Sequence, residues 1–252
     1  MDDPLGLAVT AHDFGLEGPR GWAFRGVFAD AGPGSLIAVE GPSGSGRTCL
    51  LLALTGRMRP TEGRAAVGGL ELPGRIAAVR RHSALAHVTG VTDLDPALTV
   101  GEHLREQALL RRRFAGPFTD VLPRPRGERV REEKRRIDTA LTTAGLDLVT
   151  LPKGPRTAVR DLERVEGLRL SLALALLGRP RLIGVDDTDL KLSPAEREEI
   201  WTLLRSVTDT GVTVLAVCSE APRDAVAVRT GTGPRDEAKE AAADALAETG
   251  RS

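Results

Sequence analysis

Three short apolar runs stand out along the chain, each closed off by glycine, proline or charge: residues 35–40 (SLIAVE), 181–187 (RLIGVDD) and 212–219 (VTVLAVCS). None alternates polar with apolar, so each predicts a strand buried on both faces, as in the interior of a parallel sheet. A helical period takes over between the last two runs. Ser193 is placed as an N-cap, Pro194 at the first helical position and Glu196 as the return arm of a capping box; Ile200, Leu203, Leu204 and Val207 then form one apolar face and Gly211 ends it. Strand, helix, strand predicts a parallel sheet with crossover helices.

The middle of the chain reads differently. Thr99 and Glu102 form a second capping box ahead of HLREQALLRRRF, a loop with Pro117, Pro123 and Pro125 follows, and ERVREEKRRIDTALTTAG predicts another helix with Val130, Ile137 and Leu141 on one side. This is a helical insertion between the first buried strand and the VDD strand. The basic run RPRGERVREEKRR carries interleaved glutamates, which favours a solvated helix face over a contact surface. Residues 229–252 hold almost no large apolar side chain and predict a mobile tail.

Charge and composition narrow the function. The 35 Lys+Arg balance the 35 Asp+Glu, so no net charge drives the chain onto nucleic acid, and nucleic acid is not expected as a partner. The acidic N-terminus lacks the basic and apolar segments of a secretory signal, and no apolar stretch approaches the ~20 residues of a membrane span. Cys49 and Cys218 have no metal-ligand spacing and sit in apolar runs, as buried thiols in a reducing compartment would. Only four of the basic residues are lysine.

The candidate chemistry begins where the first strand ends. GPSGSGRTCLLLALTG, residues 41–56, sets a glycine-rich turn between a strand and a helix. In the pattern G-x-x-x-x-G-K-[ST], successive backbone N–H groups converge at a helix N-terminus, whose dipole adds positive potential, and phosphate oxygens fit there. Gly41, Gly44 and Gly46 supply the turn, and Thr48 stands where a hydroxyl reaches magnesium. Arg47 replaces the lysine. It keeps the charge but substitutes a planar fork for a compact ammonium. Such a site also needs an acid at the end of a neighbouring apolar strand to hold magnesium, which Asp186 satisfies, and Asp187 is a candidate to activate water or a second solvated acid at the strand end.

At this length of match the chain resembles the nucleotide-binding subunit of ATP-binding cassette (ABC) transporters. The run GPSGSGRTCLLLALTGRMRPTEGRAAVGGLEL is similar to the family's first part, LTVGEHL to the start of its helical subdomain, LALALLGRPRLIGVDD to its magnesium-binding region and VTVLAVCSE to its switch strand, in order over roughly residues 8–222. The resemblance implies an α/β P-loop NTPase fold with a parallel-sheet core, an N-terminal β region and a helical subdomain inserted before the Walker B strand. It implies a nucleotide-binding domain over residues 1–228, with the subdomain at about 99–172. ATP and Mg2+ are the implied cofactors. Gly41, Ser43, Gly44, Ser45, Gly46, Arg47, Thr48 and Cys49 would contact nucleotide, and Thr48 and Asp186 the metal. The implied partners are a membrane-spanning permease-like protein and a second nucleotide-binding subunit, with the chain cytoplasmic and held at the inner face of the membrane through its partner.

The departures from the family fall on the hydrolytic side. The signature motif falls on Leu162, Glu163, Arg164, Val165 and Glu166; Asp187 stands for the catalytic glutamate and Ser219 for the switch histidine; Gly90 lies near the expected glutamine and Ser193 replaces an acid. Phe14 is a candidate to stack on adenine, or a core phenylalanine. Two functions stay open: a transport ATPase with slow hydrolysis, and a non-hydrolysing ATP-binding regulatory or assembly module of the same fold. A small-molecule kinase is disfavoured by the long N-terminal lead and the helical insertion.

Overall fold

The computed structural model describes residues 6–114, 126–189 and 192–231. Residues 232–252 of the expected tail, and Pro117, Pro123 and Pro125, lie outside the described residues. In chain order the elements are β1 (Val9–Gly18), β2 (Gly21–Ala31), β3 (Leu36–Glu40), α1 (Arg47–Leu54), β4 (Glu62–Val67), β5 (Leu70–Leu72), α2 (Ile76–His82) and β6 (Ser83–Ala86). The helical stretch α3 (Val100–Phe114), α4 (Arg126–Thr143) and α5 (Arg164–Leu176) follows, and then β7 (Leu182–Val185), α6 (Pro194–Asp209), β8 (Thr213–Val217) and β9 (Val226–Arg229).

The strands sort into two sheets. The antiparallel sheet has the order β2-β1-β4-β5, and the parallel sheet the order β6-β7-β8-β3-β9. Strands β3, β7 and β8 are the three apolar runs of the sequence, and they occupy the centre of the parallel sheet. Because side chains alternate along a strand, each feeds two different cores. Ile37 and Val39 of β3, with Leu215 and Val217 of β8, pack towards Leu50, Leu51 and Leu54 of α1 and the antiparallel sheet. Leu36 and Ala38, with Val214 and Ala216, pack on the opposite side with Leu170 and Leu172 of α5 and Ile200, Leu204 and Val207 of α6. The parallel sheet is therefore a middle layer covered on both faces, which is why its strands carry no polar alternation.

The caps behave as the sequence predicts. Ser193 Oγ accepts from the Glu196 N–H at 3.2 Å while Glu196 Oε2 accepts from the Ser193 N–H at 2.7 Å, and Thr99 and Glu102 form the same reciprocal pair at α3. Along α4, Glu132 takes Arg135 and Arg136 as ion-pair partners at its surface, in line with a solvated face. One expectation fails there. Val130 is 64% exposed rather than part of an apolar face with Ile137 and Leu141. The helix docks through its C-terminal half, where Ile137 packs against the core and Ala140 and Leu141 are buried next to Ala144. Among the described residues no helix is long and apolar enough to cross a membrane.

In a parallel sheet every strand delivers its C-terminal end to the same edge, and ligands bind beyond that edge. Here the edge gathers the loop after β3, His87 after β6, Asp186 after β7, Cys218 and Ser219 after β8, and Thr230 after β9.

Candidate functional site

Two glycines fix the loop after β3 at positions where any side chain would collide with a neighbouring backbone. Gly46 has φ +82°, and a Cβ there would lie 1.8 Å from the Ala23 carbonyl oxygen of β2. At Gly41 a Cβ would meet the Thr230 carbonyl oxygen at 2.2 Å. Gly44, at φ +83°, differs: a Cβ there would meet nothing within 4 Å, so its bareness leaves open room on the free side of the loop. The loop is thus clamped by β2 and β9 on one side and open on the other. Ser45 Oγ reinforces the clamp with a 2.7 Å hydrogen bond to Thr230 Oγ1.

The helix that follows starts without a side-chain cap. Leu50 N–H donates to the Gly46 carbonyl and Ser45 N–H to Pro42, but the N–H groups of Gly44, Gly46, Arg47 and Thr48 find no acceptor among the described residues. Uncapped donors at a helix N-terminus, next to an open glycine, form an anion cradle. The residues fit a nucleotide phosphate on that observation. They also fit magnesium: Thr48 Oγ1 donates to Asp186 Oδ2 at 2.7 Å, which sets a hydroxyl and a carboxylate side by side at the mouth of the cradle.

Asp186 is 4% exposed, and its burial holds the carboxyl above its ordinary range, against the pull of the Thr48 hydroxyl. The neighbouring charge of Asp187 raises it further, and Arg47 pulls it down. A desolvated carboxylate short of positive charge is suited to a divalent cation. Asp187 follows at φ +48°, a left-handed conformation that few non-glycine residues adopt, with its N–H on Asp186 Oδ1 at 3.0 Å.

Arg47 goes where the sequence could not indicate. Its Nη1 donates to the Cys218 carbonyl at the end of β8, at 2.5 Å. Ser219, next in the chain, gives both its N–H and its hydroxyl to Oδ2 of Asp189, the N–H at 2.7 Å. The expected switch residue is therefore committed to a carboxylate that no sequence pattern singled out. Its only signal was a third acid in VDDTD. Thr230 and His87 were missed in the same way. His87 sits at φ +52° after β6, lining a cavity with Asp93, His103, Gln107 and Ser171. Burial pushes its imidazole below the ordinary value, with Arg164 adding to the effect and Asp187 and Asp186 opposing it.

Burial decides between two alternatives at Phe14 and corrects one expectation at Cys49. Phe14 is fully buried against Phe24, with ring centroids 5.7 Å apart, so it is a core residue and offers no face to a base. Cys49 is only half-buried at the start of α1, whereas Cys218 is buried, which pushes its thiol up to about 12. The segment Leu162–Glu166 lies at the start of α5, with Glu163 at the N-cap and its N–H donated to Glu166 Oε2 at 2.9 Å. Ser43 lies exposed in the loop beside Gly44.

Comparison with known proteins agrees with this architecture. The family model for ABC transporters matches residues 24–189. The chain is 29% identical over 217 residues to the energy-coupling factor transporter ATP-binding protein EcfA2 of Symbiobacterium thermophilum, covering 85% of this chain and 69% of that protein. It is 32% identical over 197 residues to the cytochrome c biogenesis ATP-binding export protein CcmA of Bordetella parapertussis, covering 78% and 75%. With the Fe(3+) ions import ATP-binding protein FbpC of Streptomyces avermitilis it shares 32% over 192 residues, but spans only 49% of that protein. Among solved structures, cbiO1 from Clostridium perfringens superposes with a TM-score of 0.65 at 18% identity, covering 84% of this chain and 78% of that one. An ATP-binding cassette dimer bound to ADP and Pi superposes with a TM-score of 0.61 at 22% identity, covering 84% and 88%. The chain belongs to the ABC transporter family.

Proposed function

We propose that this chain is the ATP-binding subunit of a membrane transporter, which binds MgATP in the loop after β3, hydrolyses it slowly and works on a membrane-spanning permease from the cytoplasmic face. The observation that carries the reading is the 2.7 Å bond between Thr48 and Asp186 at the mouth of a cradle of uncapped N–H groups. The backbone donors of Gly44, Gly46, Arg47 and Thr48 would hold phosphate oxygens, and Thr48 and Asp186 would hold magnesium. Bound there, the metal supplies neutralising charge for phosphate oxygens. The named relatives serve an energy-coupling factor transporter, Fe(3+) import and cytochrome c biogenesis. That spread fits a subunit whose partner chooses the cargo.

Slow turnover follows from the chain's own residues. A well-placed base contributes typically ~10²–10⁴-fold to rate. Asp187 is one methylene shorter than glutamate, and Ser219 brings no charge and is held by Asp189. Those two facts also favour the second reading, a binding module that switches with ATP and does not hydrolyse it. Calorimetry separates the outcomes. MgATP should bind the parent, and Arg47→Ala should weaken binding strongly because the loop loses its side-chain cation. Hydrolysis should fall at least ~10²-fold below that of a cassette carrying glutamate and histidine, and Asp187→Asn should remove what is left. Absence of binding heat and of thermal stabilisation at millimolar MgATP would sink the reading.

A further inference from the structure

Arg47 is the first residue of α1, yet its guanidinium is anchored outside the loop. Nη1 donates to the Cys218 carbonyl at 2.5 Å, and no other bond to the side chain forms among the described residues. Its remaining nitrogens are neither bonded nor sealed away, since the residue is half-buried and none of them is a buried atom without a partner. A guanidinium carries five donors in a rigid plane, so one edge can stay on a carbonyl while another meets two oxygens of a phosphate. Lysine has a single nitrogen, and its donors radiate from one point.

The carbonyl that Arg47 holds belongs to a fixed peptide. Cys218 N–H donates to the Val39 carbonyl of β3 at 3.0 Å, so this residue is tied to the strand that leads into the loop on one side and to the residue that follows the loop on the other. Ser219 continues the connection through its N–H and hydroxyl to Asp189. Asp189 lies four residues before Ser193, the cap of α6. Two consecutive residues at the end of β8 thus join the loop after β3 to Asp189, in the loop after β7.

We propose that Arg47 is a bridge: one edge of its fork holds a bound phosphate while the other keeps the Cys218 carbonyl, so that nucleotide occupancy is tied to the end of β8 and, through Ser219, to Asp189 in the loop after β7. Arg47 acts on that loop as a positioning residue. The proposal rests on the reading of the loop as a nucleotide site. It also accounts for an arginine at this position in terms other than charge, because a lysine drawn onto phosphate has no second edge to leave on the carbonyl.

The chain holds two cysteines, so labelling with [1-13C]cysteine yields two carbonyl resonances, and Cys49→Ser assigns the one from Cys218. In the parent without nucleotide, the Cys218 resonance should differ from its position in Arg47→Ala, and saturating MgATP should leave it unmoved. Arg47→Lys, which serves where Arg47→Ala does not fold, should bind MgATP about tenfold more weakly and show its Cys218 carbonyl displaced from the parent position once MgATP is bound. The proposal is overturned if MgATP moves the parent resonance to the Arg47→Ala position, if parent and Arg47→Ala coincide before nucleotide is added, or if Arg47→Lys with MgATP retains the parent position. Calorimetry on the same samples separates two failures. Binding heat with a displaced carbonyl removes the bridge alone, whereas no heat removes the nucleotide reading and the bridge with it.

Discussion

Two helix N-termini in this molecule begin with the same physical potential and end with opposite chemistry. Helix α1 opens in glycines, has no side-chain cap and keeps the first N–H groups free. Helix α5 opens between Glu163 and Glu166, and the Glu163 N–H is already taken by the Glu166 carboxylate. The dipole is the same at both, about half a positive charge, so the dipole alone does not make an anion site. What makes one is a set of donors left unfilled, with no carboxylate placed on them. On this comparison the donors at α1 are left open on a glycine turn, whereas two acids, Glu163 and Glu166, stand at the start of α5.

The largest test of that contrast is steric. Gly46→Ala places a methyl 1.8 Å from the Ala23 carbonyl oxygen at φ +82°, and neither backbone can yield without unseating the loop from β2. It should cost more than about 3 kcal/mol of stability, or abolish folding, with MgATP binding lost. Gly44→Ala, at φ +83° with nothing within 4 Å, should cost only the ~1–2 kcal/mol of a left-handed alanine, yet lose MgATP binding too, because its methyl enters the cradle. Urea melts with calorimetry distinguish the two. Equal stability losses would show that the clamp by β2 is unimportant.

A smaller effect is expected at α5. In a pair of copies that set α5 of one against the phosphate held by α1 of the other, Glu163 would bring a carboxylate towards like charge. Self-association of the parent with MgATP should therefore be weak in the Asp187→Asn background, and Glu163→Ser should strengthen it by at least about tenfold, as read by light scattering. A tight ATP-dependent homodimer of the parent, unchanged by Glu163→Ser, would show that the acids at α5 do not face nucleotide.

The smallest effect concerns stability against pH. Burial raises the Asp186 carboxyl above its unfolded value, so the unfolded chain loses that proton first as pH rises. The folded state is therefore penalised above the unfolded pKa of ~3.9, and the full penalty is present only above the raised folded value. Asp186→Asn removes it while still accepting from Thr48. At pH 7 the variant without nucleotide should melt above the parent, and the gain should vanish as pH falls through the raised folded pKa towards the unfolded one. Stabilisation by MgATP should disappear in the same variant. An Asp186→Asn protein that melts below the parent at pH 7 would show that the charge is already compensated in the empty site.

Much of the α1 region is legible in the sequence, for local reasons. A strand buried on both faces has no polar alternation, the turn needs glycines with positive φ, and a helix cap is written in residues three apart, so β3, β7, β8, α6 and the glycine turn of Gly41, Gly44 and Gly46 read correctly from neighbours in sequence. Phe14 and Val130 are harder because each is one apolar residue whose side is decided by what packs on it: β-bulges in the β1–β2 pairing turn Phe14 inward, and the docking of only the C-terminal half of α4 leaves Val130 outside.

The sequence by itself determined the alternating layers, the cradle and the acid that faces it, because those depend on periodicity, on glycine and on strand order. Only the tertiary structure decided which partners the polar side chains take. Arg47 reaches Cys218, 171 residues away in sequence, Ser45 reaches Thr230 across 185, and Ser219 is claimed by Asp189 across 30. These pairings follow from the parallel sheet, which collects the ends of distant strands at one edge; a hydrogen bond acts over less than about 3.5 Å, so its partner is fixed by the fold that brings two ends together and not by the residues beside it in the chain.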